Sequence, residues 1–260
     1  MVADRITSTA NQRVKAFAKL KTARERRTTG LFLVEGTREV ARAIAARVEI
    51  ETLLVCPELL AEPFVAPHDI ETVELAPEPM ARVAMRDNPP GSIAVARQFD
   101  TSLEHLQLGP NALVLIAEQV EKPGNLGAMM RTGDAVGVDA IIVADGVTDV
   151  FNPNVVRASQ GALFSVPLAV THSGAAIAWA AANSIHVVGG YPSANNELWQ
   201  VKMMGPTAVL VGAEDVGISA AWANVVTPVR IPMAGAADSL NASVSAAILL
   251  FEAIRQRKLA

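Results

Sequence analysis

Beyond about residue 110 the chain alternates short apolar runs with stretches of helical periodicity, and this pattern restricts its folding more than any other feature. "ALVLIAE", "AIIVAD", "FSVPLAV", "IHVVGG", "TAVLVGAE" and "VRIP" are strand candidates, and the segments between them carry amphipathic helix patterns. Strands buried on both faces and joined by helices predict a mostly parallel sheet with helices on both sides. Ligands of such sheets sit at the carboxyl ends of the strands, so the loops that follow these runs are where function is expected.

The N-terminal part reads differently. "QRVKAFAKLKTARERR" has a helical period from residue 12, with Val14, Phe17, Ala18 and Leu20 on one side and basic residues on the other. "GLFLVEGTREVARAIAARVEIETLLVCP" reads strand, helix, strand, and "APEPMARVAMRDNPPGSIAVARQ" adds a helix, a "DNPPG" turn and a short strand. A small α/β domain is expected over residues 1–97, a polar linker over 98–110 and a larger α/β domain over 111–260. Two domains suit a chain of 260 residues, of which 51% are hydrophobic and 18% charged, a composition that excludes disorder.

Several classes fall away. No run reaches the roughly 18 apolar residues of a membrane span; "AAIAWAAANSIHVVGG" is interrupted by Asn183, Ser184 and His186. The N-terminal stretch lacks the apolar run of a signal peptide. A lone cysteine, Cys56, excludes an internal disulfide and a cysteine-rich zinc site, and reads as a buried small hydrophobe. A cytoplasmic protein without a metal is expected.

Charge is unevenly placed. The formal net charge is -4, yet residues 1–30 hold eight cations (Arg5, Arg13, Lys15, Lys19, Lys21, Arg24, Arg26 and Arg27) against Asp4 and Glu25. A basic arm on an acidic body is the footprint of a protein that meets a polyanion at one end. A solvated helix face would show the same charges, and charge by itself does not choose.

Three loops at strand ends carry candidate chemistry. In "EKPGNLGAMMRTGDAVG", Leu126, Met129, Met130, Gly133, Val136 and Gly137 share one helix face, and Arg131 points roughly 140° away from Leu126. Asn125 is placed to cap that helix. In "FNPNVVRASQGALF", Asn152 precedes Pro153 as a cap, and Arg157 lies one turn inside. Two arginines near helix starts make an anion pocket or two ordinary surface cations. "VLVGAEDVGIS" places Gly212 and Glu214 beyond a strand. "VRIPMAGAADSLNASVSAAILLFEAIRQRK" runs through a Gly/Ala loop into a helix begun by Ser239 or Asn241, with Val244, Ala247, Ile248, Phe251 and Ile254 as its apolar stripe. No GxGxxG, Walker lysine, GxSxG elbow or HExxH is present. His68, His105, His172 and His186 lie in unrelated contexts and read as structural or surface residues.

At these loops the chain resembles the SpoU (TrmH-like) class of the SPOUT superfamily, RNA ribose 2'-O-methyltransferases that use S-adenosyl-L-methionine. "EKPGNLGAMMRTGDAVG", "VLVGAEDVGIS" and "IPMAGAADSLNASVSAAILLFE" look like its three motifs in order, and "NPNVVRASQGALF" matches the segment between the first two. "ITSTANQRVKAFAKLKTARERRTTGLFLVEGTREVARAI" is similar to the ribosomal-protein-like substrate-binding domain of the ribosomal RNA and thiostrepton-resistance-like members.

The resemblance implies a trefoil-knotted C-terminal domain and a homodimer in which Arg131 of one subunit completes the site of the other. It implies cofactor contacts at Leu210, Val211, Gly212, Ile231, Met233 and Leu240. Arg131, Asn125, Glu214, Ser239 and Asn241 become the catalytic set, with Arg131 acting on the ribose hydroxyl and the others aligning it with the methyl donor. Arg13, Lys15, Lys19, Arg26, Arg27 and Arg157 become the RNA contacts. Glu121 and Lys122 stand where many members carry an aspartate before the proline, and Ala242 where valine is commoner. The basic arm and added domain favour large-subunit ribosomal RNA over transfer RNA, and a non-catalytic RNA-binding homologue is the rival of another class. With only 4% aromatic residues, shape and loop contacts rather than base stacking should dominate.

Overall fold

The computed structural model describes residues 5–62 and 66–259; Asp4, counted in the N-terminal charge balance, lies outside them. In chain order the elements are α1 (Gln12–Lys19), α2 (Ala23–Thr29), β1 (Leu31–Glu35), α3 (Thr37–Ala45), β2 (Ile50–Val55), β3 (Glu71–Glu74), α4 (Pro77–Val83), β4 (Ser92–Arg97), β5 (Leu113–Glu118), α5 (Pro123–Val136) and β6 (Ala140–Ala144). They continue with α6 (Pro153–Ser159), β7 (Leu168–Thr171), α7 (Ser173–Ala182), β8 (His186–Gly190), β9 (Thr207–Val211), β10 (Val226–Val229) and α8 (Ala242–Leu259).

The chain divides into two compact units. The first holds residues 1–99 together with Asp149–Phe164, and the second holds Asp100–Thr148 and Ser165–Ala260. In the first unit, β1-β4-β2-β3 form a sheet in which β4 is antiparallel to both neighbours and β3 is parallel to β2. Val14, Leu20, Leu33, Leu54, Met80, Val83 and Ile93 fill its core, and Cys56 is buried among them. Burial pushes the Cys56 thiol above its ordinary value, which fits a packing role for that residue.

The expected single helix from residue 12 is two. Thr22 takes an extended conformation and its hydroxyl accepts from Glu25 N, so a cap interrupts the periodic run and α2 starts again behind it. Segment Asp149–Phe164 packs on β1 through aromatic contacts. Phe151 lies 4.9 Å from Phe32 and 5.1 Å from Phe99, and Phe164 lies 6.4 Å from Phe32, ring centre to ring centre.

The second unit is the parallel sheet that the apolar runs predict. Its order is β10-β8-β9-β5-β6-β7, and each of these pairings is parallel. Val114, Ile116, Ile142, Leu210 and Trp222 belong to the core on one face of this sheet. Leu103, Leu106 and Leu108, from the stretch read as linker, pack against that core. The last strand is displaced from "VRIP" to Val226–Val229. Pro228 is tolerated there because β10 is an edge strand, where a missing N–H costs no ladder bond. No helix among the described residues is long and apolar enough to cross a membrane.

Candidate active site

The carboxyl ends of β8 and β9 open into a cleft lined by Gly190, Tyr191, Val211, Gly212, Ile231, Met233, Ser239 and Leu240, among others. It spans about 670 Å³ of space out to its open mouth. The loop after β9 folds back tightly. Ala213 and Gly217 exchange backbone hydrogen bonds of 3.1 and 3.0 Å, and a Cβ on residue 212 would overlap the Gly217 backbone, so only glycine fits there. This fold-back presents Glu214 at the rim.

Glu214 joins three loops. Its Oε1 accepts from Asn125 Nδ2 and, at 3.1 Å, from Asn241 Nδ2, while its Oε2 accepts from Lys122 Nζ. Asn241 Nδ2 also donates to Asn125 Oδ1 at 3.2 Å. The Lys122 ammonium is held above its usual pKa chiefly by its hydrogen bond to Glu214. Asn241 is in addition the cap of α8, its Oδ1 accepting from Ser243 N at 2.9 Å. Asn125 does not cap α5. Pro123 takes the first helical position and Lys122 the cap, which puts Asn125 inside the first turn with its amide free to reach Glu214.

A buried carboxylate braces the same loop from below. Glu118, with 0% exposure, accepts from Ser173 Oγ at 2.8 Å, Ser219 N at 2.8 Å, Ser219 Oγ at 2.6 Å and Trp222 Nε1 at 2.8 Å. Four donors supply the stabilisation that water would otherwise give a buried charge. Tyr191, which lines the cleft, has its phenol pKa raised by burial and then by the Glu118 charge.

The fold brings Asn125, Glu214 and Asn241 into one hydrogen-bonded cluster and places Val211, Gly212, Ile231, Met233, Ser239 and Leu240 along the cleft. Leu210, expected to meet the cofactor through its backbone, has its side chain fully buried in β9, one residue before the cleft lining begins at Val211. Ser239 makes no hydrogen bond among the described residues. Arg131 stands apart, exposed and with no side-chain hydrogen bond or ion pair among the described residues. Six residues beyond Asn125 on α5, it is turned away by roughly 120° about the helix axis.

Arg157 is exposed and belongs to the first unit, whereas Arg131 belongs to the second. Among the basic-arm residues, Lys15, Lys19 and Arg27 are exposed, and Arg13 pairs with Glu71 at 2.6 Å while lying over Phe17. Arg26 is corrected outright. It is 1% exposed, its Nη1 donates to Leu20 O and Lys21 O at 2.9 Å, and its Nε meets Asp149 at 2.7 Å, so no surface is left for a phosphate. Gly190, Tyr191, Lys122 and Glu118 escape sequence reasoning. The run "IHVVGG" marked the strand, and extending the carboxyl-end rule past it would have found the first two.

An open parallel sheet with a loop-built cleft at its carboxyl ends, no Gly-rich phosphate loop and a carboxylate-diamide cluster at the rim defines a class of α/β enzyme built to hold a small molecule beside a polar acceptor. Residues 112–251 match the SpoU rRNA Methylase family, and the chain belongs to that family. Residues 11–94 match the MRM3-like substrate binding domain. The chain is 33% identical to a 23S rRNA uridine 2'-O-methyltransferase of Streptomyces viridochromogenes, over 98% of this chain and 93% of that protein. It superposes with a TM-score of 0.87 on the SpoU methyltransferase AviRb of S. viridochromogenes in complex with AdoMet, 30% identical over 95% of this chain and 98% of that one. The crystal structure of an RNA 2'-O ribose methyltransferase gives 0.86 at 40% identity, over 98% of this chain and 100% of that one.

Proposed function

We propose that this protein transfers the methyl group of S-adenosyl-L-methionine to a ribose 2'-hydroxyl of large-subunit (23S) ribosomal RNA, in the cytoplasm. The observation that carries the reading is the Asn125–Glu214–Asn241 cluster at the rim of a cleft whose lining includes Val211, Gly212, Ile231, Met233, Ser239 and Leu240. The cleft suits the cofactor: Met233 and Leu240 offer apolar surface, and Gly212 brings backbone to the wall. The AdoMet-bound relative and the 23S rRNA relative support the cofactor and the RNA class.

When bound, the cofactor supplies an electrophilic methyl on a sulfonium. A ribose hydroxyl attacks such a methyl only as it loses its proton, so what the protein contributes is placement and charge. Glu214, with Asn125 and Asn241, sets the hydrogen-bonding face against which the ribose is aligned. Ser239 lines the cleft beside them. Arg131 orients the hydroxyl and its neighbouring phosphate. Because α5 turns it away from its own cluster, the reading makes the active unit a homodimer in which Arg131 serves the partner's cleft. The exposed apolar side chains Val244 and Phe251 on α8 support that assembly. Residues 1–97, a linker over 98–110 and a trefoil-knotted domain over 111–260 complete the reading, with the two family matches falling inside these limits.

The test is incubation with radiolabelled S-adenosylmethionine and, in separate reactions, deproteinised 23S rRNA, 16S rRNA and transfer RNA. Label on 23S rRNA at a single alkali-resistant position is expected. Label on transfer RNA alone would move the substrate, and cofactor binding with no labelled RNA would turn the protein into a non-catalytic binder.

A further inference from the structure

The first unit holds a second gathering of chemistry that methyl transfer does not use. Strand β1 ends at Glu35, which is 2% exposed, with its Oε1 accepting from Met85 N at 2.6 Å. Arg86 Nε lies 3.8 Å from Glu35 Oε2, and that Nε is itself buried without a hydrogen-bond partner among the described residues. Arg157 and Lys21 act electrostatically on the same carboxylate, and Arg82 acts on Lys21. Three cations, Lys21, Arg86 and Arg157, thus act on one buried carboxylate, and Arg82 adds a fourth beside Lys21. The packing agrees: Met85, whose N bonds Glu35, lies three residues past Arg82, and α6, which carries Arg157, packs on β1.

The collection is held in place. The buried Arg26 ties the turn that carries Lys21 to Asp149, at the head of the segment that carries Arg157. Gly36, at φ +108°, leaves the room that Arg86 occupies: a Cβ there would stand 2.6 Å from Glu39 Oε2 and 3.1 Å from Arg86 Nη2. Glu39 is already paired with Arg38 at 2.8 Å, and Glu35 faces three cations by itself. The surplus of like charge is unfavourable until an anion arrives. Arg82 and Arg157 are exposed, which makes this an open face suited to a polymer passing across it.

We propose that this face binds the phosphodiester backbone of the RNA substrate, with Arg82 and Arg157 as the outer contacts and Lys21 and Arg86 behind them. The proposal rests on the RNA reading given above and locates where the first unit grips that RNA. It also assigns Arg26 a positioning role in place of a contact role.

The experiment measures binding of the full-length protein to a 23S rRNA fragment across a series of salt concentrations, for Arg82→Ala, Arg157→Ala, the double variant, and Lys202→Ala as an exposed control in the second unit. The double variant should bind about tenfold more weakly, with the slope of log K against log salt shallower by roughly 1.5, as expected for two lost phosphate contacts. KM for RNA should rise while kcat stays within about twofold, and Arg157→Lys should recover most of the affinity lost in Arg157→Ala. Unchanged affinity and slope with methyl transfer retained would overturn the face and leave the methyl-transfer reading standing. A matching loss of cofactor affinity by calorimetry would show structural damage and overturn it too. Absence of RNA labelling by the unsubstituted protein would instead defeat the reading on which it rests.

Discussion

Glu118 carries its charge with four donated hydrogen bonds and no exposed surface, so the fold compensates it with dipoles instead of a cation. Glu118→Gln would turn an N–H₂ group toward donors that need an acceptor. The substitution is expected to lower stability by about 2–3 kcal/mol, read as a shift in urea midpoint. Because Ser219 and Trp222 anchor the loop that presents Glu214, cofactor affinity should fall with it; an unchanged midpoint would disprove the bracing role. Arg131 predicts the opposite split. Arg131→Ala should cut methyl transfer by about 100-fold or more while cofactor affinity, by calorimetry, stays within about twofold. Equal loss of both would make Arg131 structural. The exposure of Arg131 was legible from its offset on α5. The role of Glu118 was not, because its partners lie 55, 101 and 104 residues away along the chain.

At the level of elements, α8 shows where periodicity stops deciding. The stripe of Val244, Ala247, Ile248, Phe251 and Ile254 was expected to face the core, yet Val244 is 46% and Phe251 55% exposed. The buried apolar residues are Ala242, Ala246, Leu249, Leu250 and Ala253, and the helix packs against α5 and β9. A helix apolar on nearly every side gives its pattern no preferred direction. In the homodimer proposed above, the exposed Val244 and Phe251 are the surface that a second copy would cover. Phe251→Lys is expected to convert a dimer to a monomer in light-scattering mass measurements and to abolish methyl transfer, while cofactor binding weakens less. A variant of unchanged mass would remove α8 from the interface.

At the scale of the whole molecule, the family match runs without a break from residue 112 to 251, but Asp149–Phe164 within it belongs to the first compact unit. The chain therefore passes between the units at three places, after residues 99, 148 and 164. Removing the first 99 residues would strip Phe151 of both Phe32 and Phe99, which is why point substitutions, and not truncations, are the means of testing RNA contact.

From its own order of residues, this chain determined a parallel sheet, the loops at the ends of its strands, the cap at Asn152, a choice of Ser239 or Asn241 to start α8, and a basic helical N-terminal stretch with an exposed Arg131 to follow. Each depends on neighbours a few residues apart, where apolar period and turn chemistry act. Only the tertiary structure decided that Glu214 would meet Asn125 and Asn241, that Arg26 would be spent inside the first unit, and that Tyr191 would wall the cleft. Those outcomes depend on which distant segments share a boundary, and hydrogen-bond partners across such boundaries leave no period in the sequence.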